Sequence, residues 1–260
     1  MRIASALVLG TSAIAAAWWG GWPFAVFWML AALGVLWEWG HFVSAAVAAR
    51  LAGLGGAALV AAVFAVATAG PFALLWVLVA AVLVAAGLCG LWGAAGMLYA
   101  GSLAGAPILL RGDAVWGLAT IAVLFAVVWG SDIAAYFAGR LLGGPKLWPR
   151  VSPKKTWSGA LAGAAAGAIG AAVVGRLAGI ENAAALAAIG LLLSIASQLG
   201  DLLESGIKRH FGAKDASHLI PGHGGLMDRL DGFIVAAALA ALIGLARGGL
   251  DAPARGLLIW

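Results

Sequence analysis

A helical protein that crosses a membrane many times is the fold this sequence predicts, and three observations carry the prediction. The 260 residues are 64% hydrophobic and 10% charged, where an average soluble domain is about 25% charged. Mean hydropathy reaches +1.07 over the whole chain, so the apolar excess is not confined to one segment. Apolar runs of about 20 residues, the length a helix needs to cross the hydrocarbon core, recur from end to end between Gly, Pro, Trp and charge clusters. The fold class is therefore all-α, a polytopic integral membrane protein.

Taken in order, the runs predict nine spans, near 3–19, 23–48, 53–69, 72–90, 93–110, 114–138, 158–178, 183–207 and 231–247. The first, behind Arg2, has the outline of a signal peptide, but the same apolar density returns along the chain, so it reads as a span. The fifth is short and broken by glycine. Trp18, Trp19, Trp22, Trp148 and Trp157 fall where spans meet loops, as an interfacial aromatic belt requires. Two regions follow, 1–110 with N-terminal membrane helices and 111–260 with the chemistry-bearing residues.

Orientation comes from the fifteen Lys and Arg. With the N-terminus inside, eleven fall on the inner side, and Arg111, Arg176, Arg247 and Arg255 fall outside. That asymmetry predicts a cytoplasmic N-terminus and puts both polar loops on the cytoplasmic face. It also accounts for the net charge of +5, so no nucleic-acid partner is inferred. Cys89 is the single cysteine and has no partner for an intramolecular disulfide.

In the seventh span, Gly159, Gly163, Gly167, Ala171, Gly175 and Gly179 recur every four residues, a small-residue stripe that lets another helix approach closely. The partner is a helix of the same chain or of a second copy in a homodimer; the pattern allows both. Glu38, near the inner end of the second span, has His41 within a turn and is expected to form a local helix-end pair with it.

Residues 197–231 stand apart. They hold Asp201, Glu204, Asp215, Asp228 and Asp231, half of the ten acids, and three of the four histidines. A charge at the centre of a bilayer costs roughly 2.5–3.5 kcal/mol, so such a cluster must face a cavity, a partner or an ion. Ser197, Asp201, Glu204 and Lys208 follow at i, i+4, i+7 and i+11, one face of a helix, flanked by Gln198 and Ser205. The loop beyond adds Lys214, the run IPGHGG, then Asp228 and Asp231. Glycines let backbone N–H groups approach a phosphate, and carboxylates from two helices suit Mg²⁺, which takes oxygen ligands plus substrate phosphates. Zinc would require three or four N or S ligands. His223 is accordingly expected at a phosphate or in a hydrogen bond.

A second loop has the opposite sign: Arg140, Lys146, Arg150, Lys154 and Lys155 without an acid. Within it, the stretch SPKKTW, with Ser152, Lys154, Lys155 and Thr156 at the start of a helix, suits a polyphosphate or an anionic lipid headgroup. Asp132 brings one more carboxylate to the inner end of the sixth span.

The stretch SGIKRHFGAKDASHLIPGHGGLMDRLDG closely resembles the signature of the phosphatidate cytidylyltransferases, also called CDP-diacylglycerol synthases. SQLGDLLE, SDIAAYFAGRLLGG, SPKKTW and, more loosely, LWEWG match the same family pattern. Clear resemblance covers the C-terminal half, while the first hundred residues match mainly in hydrophobic pattern. Ser158 departs from the pattern, which has a larger polar residue after the Trp.

The resemblance implies that CTP and phosphatidic acid give CDP-diacylglycerol and pyrophosphate at the cytoplasmic side of a bacterial inner membrane. It implies Mg²⁺ as cofactor, admits Mn²⁺ as a substitute and leaves room for a monovalent cation. Asp201 and Asp228 would be the principal metal ligands, with Asp231 and Glu204 beside them. Lys208 and Arg209 would act in catalysis with Asp201 and Asp228. Ser152, Lys154, Lys155, Thr156, Lys214, His223, Arg229 and Asp132 would contact substrate.

Two other classes compete. A multi-pass ion or proton transporter also buries carboxylates at span ends, but gives no reason for the five-charge basic loop. A CDP-alcohol phosphotransferase shares Asp228-x-x-Asp231-Gly232, yet Val235, Ala236 and Gly248 stand where its motif continues with Ala-Arg and two further Asp.

Overall fold

The computed structural model of the protein describes residues 2–217, 219, 220 and 224–260; His223 thus lies outside the described residues. The chain forms α1 (Arg2–Trp19), α2 (Gly21–Val43), α3 (Ala45–Arg50), a wider π turn (Leu51–Gly55), α4 (Gly56–Ala69) and α5 (Pro71–Arg111). It continues with α6 (Gly117–Leu141), strands β1 (Lys146–Trp148) and β2 (Ser152–Thr156), α7 (Trp157–Leu177), α8 (Ala183–His210), α9 (Met227–Gly248) and α10 (Pro253–Leu258). With no water in the bilayer core, each spanning segment must satisfy its own backbone, which a helix does.

Seven helices among the described residues are long and apolar enough to cross a membrane, where the sequence predicts nine spans. Two differences account for the number. The first run contributes only the shorter apolar helix Leu7–Trp19, and Pro71–Arg111 counts once although it is two helices that meet at Gly90, where two spans are expected. At 1.5 Å per residue, that 41-residue run would reach about 60 Å, twice the hydrocarbon thickness. Gly90 interrupts it, with φ 69° and ψ −170°, a backbone open to glycine and strained for other residues. Large apolar side chains line the outside: Leu91 and Leu177 are 86% and 84% exposed, a surface suited to lipid.

The chain divides into two compact units, Met1–Gly112 with His210–Leu230, and Asp113–Arg209 with Asp231–Trp260. In the first, α5 packs against α2 and α4. Trp39 is buried over Gly96, and its Nε1 donates to the Trp92 carbonyl at 2.8 Å. Arg111 ties the end of α5 to α1 by donating to the Ala17 carbonyl at 2.8 Å.

In the second unit the small-residue stripe finds its partner. Gly159, Gly163, Gly167, Ala171 and Gly175 are all buried along α7, where Gly163 faces Ser131 of α6 and Gly167 faces Ser194 of α8. The two serine hydroxyls share a hydrogen bond of 2.8 Å, and Ser194 also donates to the Gly163 carbonyl at 3.1 Å. These five positions therefore serve packing within the unit. Gly179 is not on the helical face; it lies beyond α7 with φ 82°. Glycines also set the approach of α9 to α8, because a Cβ at Gly200 would sit 2.7 Å from the Asp231 carbonyl.

Candidate active site

Glu38 is the unexpected member of the first unit. It is 0% exposed and accepts hydrogen bonds from Leu226 N–H at 2.8 Å, from Met227 N–H at 2.6 Å and from the Ser217 hydroxyl. The two amides belong to the entry of α9, so a side chain from α2 caps a helix 189 residues further along the chain. The expected pair with His41 does not form. His41 hydrogen-bonds the Trp37 carbonyl through Nδ1 at 2.7 Å and lies against the Trp37 ring at a tilt of 49°. Three donors satisfy both oxygens of a buried carboxylate, whereas one imidazole would leave an oxygen bare.

Asp228 works beside it. Its Oδ2 accepts from Ala216 N–H at 2.9 Å and from Gly225 N–H at 2.8 Å. Gly225 lies between the two acids: a Cβ there would stand 2.8 Å from Glu38 Oε1 and 3.0 Å from Asp228 Oδ2. Glycine is thus demanded by closeness, and the loop is threaded between carboxylates. Lys214, expected at substrate, is exposed on the same loop, as is Arg229 on α9.

The second unit holds the other acids. Asp201 Oδ2 meets Lys155 Nζ at 2.6 Å, and Glu204 Oε2 meets Lys208 Nζ at 2.6 Å. Asp201, Glu204 and Asp132 all lie within electrostatic reach of Asp231. The end of α6 and the end of α8 thus carry the carboxylates whose charge reaches Asp231 at the start of α9. This is what the i, i+4, i+7, i+11 spacing predicts for α8, and Ser197 completes that face, buried against Gly232.

The β1–β2 hairpin delivers Lys155. Lys146 pairs with Thr156 and Trp148 with Ser152, and successive side chains point to opposite faces. Lys155 is therefore half-buried against Asp201 while Lys154 is exposed. The two polar segments, expected to divide metal from phosphate by sign, meet directly at this ion pair. Thr156, expected at substrate, is 5% exposed and caps α7 by accepting from Gly159 N–H at 3.2 Å. Ser158 donates to the Gly143 carbonyl and shares a 3.0 Å hydrogen bond with Thr156, so a short hydroxyl closes the hairpin where the family pattern has a longer side chain. Ser152 is half-buried on β2, and Arg209 is exposed near the end of α8.

Among the described residues no three His, Cys, Asp or Glu side chains form a ready-made ligand cluster. Mg²⁺ does not demand one, since it usually keeps several waters and takes one or two carboxylates. Asp132, Asp201, Glu204 and Asp231 offer carboxylate oxygens, the donor type a hard cation takes.

Glu38 carries a signal in the sequence beyond a pairing with His41. It is the only acid in the first 112 residues, and an ionisable residue inside a membrane span marks a functional position by default.

Fold and site together define a polytopic membrane protein that gathers acids and lysines at the ends of its spans. The model of the Cytidylyltransferase family matches residues 1–245, and the chain belongs to that family. It is 46% identical over 258 residues to phosphatidate cytidylyltransferases of Brucella suis biovar 1 and Brucella melitensis biotype 1, covering 97% of this chain and 95% of each relative. The phosphatidate cytidylyltransferase of Staphylococcus haemolyticus is 44% identical over 119 residues, 45% of this chain and 46% of that protein.

Proposed function

We propose that the protein is a phosphatidate cytidylyltransferase, joining CTP and phosphatidic acid to give CDP-diacylglycerol and pyrophosphate for phospholipid synthesis. The observation that carries this reading is the similarity to two proteins of that name along nearly the whole length of all three chains. A phosphate oxygen of phosphatidate attacks the α-phosphorus of CTP, the bond to the β-phosphate bridging oxygen breaks, and pyrophosphate leaves. The attacking oxygen is already ionised near neutral pH, so positioning and charge neutralisation supply most of the catalysis.

Asp201 and Asp231, with Glu204 beside them, would hold Mg²⁺, which would neutralise charge on the transferring phosphoryl group. Asp228 of the first unit, a metal ligand by the family resemblance, is in part committed to Ala216 and Gly225. Lys155 moves from Asp201 to a substrate phosphate, and Lys154 and Arg209 add positive charge around the phosphates. Lys208 remains with Glu204 and keeps that buried carboxylate neutralised.

Purified protein given CTP, phosphatidic acid and Mg²⁺ should form CDP-diacylglycerol. Absence of product under conditions where a known synthase works would remove the reading. The active site faces the cytoplasm of a bacterial inner membrane, on the charge asymmetry of the loops. Cysteines placed at Lys146 and Lys214 in a Cys89→Ser background should be blocked only by reagents entering from the cytoplasm; labelling from outside would reverse the orientation.

A further inference from the structure

We propose that Glu38 is a positioning residue for nucleotidyl transfer, setting Ser217, Leu226 and the first turn of α9 in the register that presents Asp228. The inference rests on the cytidylyltransferase reading and assigns a duty to the N-terminal region, where Glu38 stands in the stretch LWEWG.

The geometry begins on one face of α2. Gly34 and Glu38 are four residues apart and therefore neighbours on the helix surface, and both face the same loop. A Cβ at Gly34 would lie 2.8 Å from the Leu226 side chain, so the bare backbone of α2 lets Leu226 seat against it. One turn later, Glu38 takes the N–H groups of Leu226 and Met227. The first N–H groups of a helix have no partner within it, and a carboxylate there also faces the positive end of the helix dipole. The cap is supplied from a distant part of the chain, and Met227 is 0% exposed.

The same carboxylate holds the other end of the loop. Ser217 donates to Glu38 Oε1 while its hydroxyl oxygen accepts from Leu219 N–H at 3.0 Å. Asp228 braces the neighbouring amides of Ala216 and Gly225. Two acids thus hold adjacent points on both limbs of one loop: Glu38 takes Ser217 and Leu226, and Asp228 takes Ala216 and Gly225. If Glu38 lets go, Asp228 has no fixed frame from which to be aimed.

Glutamine cannot replace it. Oε1 already accepts from Leu226 N–H and Ser217, and Oε2 from Met227 N–H. An amide side chain offers one oxygen and one NH₂, so in either orientation one backbone N–H faces another donor. A misplacement near 1 Å can cost about 10²-fold in rate.

The test compares wild type, Glu38→Gln, Glu38→Asp and Ser217→Ala in detergent micelles, measuring kcat, both KM values and hydrogen exchange of the peptide carrying Leu226 and Met227. Glu38→Gln should lower kcat about 10- to 100-fold with both KM values within about threefold, and should speed exchange in that peptide but not in the α5 and α7 peptides. Glu38→Asp should recover part of kcat, and Ser217→Ala should lower it less. Wild-type kcat in a folded Glu38→Gln protein overturns the proposal, as does a change confined to KM. Should Glu38→Gln fail to fold, an unchanged kcat and unchanged exchange in Ser217→Ala overturn it instead. An inactive wild type would count against the cytidylyltransferase reading, whereas an active wild type beside an unaffected Glu38→Gln counts only against this role.

Discussion

Glu38 and Asp228 of the first unit are held mainly by backbone amides, whereas Asp201 and Glu204 of the second are held by lysines. Glu38 and Asp228 take N–H groups of Ala216, Gly225, Leu226 and Met227; Asp201 and Glu204 take Lys155 and Lys208. An amide donor is part of the backbone and cannot leave without local unfolding. A lysine ammonium rides on a flexible four-carbon stem and can trade one partner for another. The first pair of acids therefore suits shape, and the second suits exchange.

Burial divides the lysine-held pairs further. Lys155 and Asp201 side chains are 25% and 38% exposed, against 11% and 1% for Lys208 and Glu204. A partly solvated pair contributes about 1 kcal/mol or less, little enough for Asp201 to exchange Lys155 for a cation. Removing one partner of a buried pair costs about 3–5 kcal/mol, because it strands the other charge. Lys208, which the resemblance places in catalysis, is by this measure first a counter-charge.

The largest expected effect falls on the exchangeable acid. Asp201→Asn should lower kcat by about a thousandfold or more, since metal-held charge stabilisation amounts to several kcal/mol, and should leave the protein folded by size-exclusion chromatography. Near-normal turnover would remove Asp201 from the metal site. Next comes stability: Lys208→Met should destabilise by about 3–5 kcal/mol in thermal or denaturant unfolding, and adding Glu204→Gln should restore most of the loss. An unaltered single variant would show that the pair is not the buried one described.

Asp228 sharpens the comparison because it belongs to the amide-held class yet carries a motif position. One Asn oxygen can accept both N–H groups that Oδ2 accepts, so Asp228→Asn should keep wild-type hydrogen exchange at Gly225 while still lowering kcat tenfold or more, on the order expected for a lost charge contact at a phosphoryl group. If Asn keeps full activity and Ala loses it, Asp228 is a brace only. The smallest effect belongs to Lys155. Lys155→Gln should change stability by less than about 1 kcal/mol, raise KM for CTP or phosphatidic acid, and lower the Mg²⁺ concentration giving half-maximal rate, because a competitor for Asp201 has gone. A raised Mg²⁺ requirement would contradict the exchange.

The sequence by itself determined the membrane-spanning helical class, and the reason is solvent: apolar side chains and internally bonded backbone are the conditions for crossing a bilayer, and both are local. It also determined the face shared by Ser197, Asp201, Glu204 and Lys208, since helical spacing places side chains without help from the rest of the fold. Only the tertiary structure decided who meets whom. That Lys155 answers Asp201, that α7 spends its glycines on α6 and α8, and that Glu38 leaves His41 for amides 189 residues away depends on close packing between distant segments. A buried carboxylate settles wherever the most donors can reach it, and which donors those are is set by the packing of whole helices.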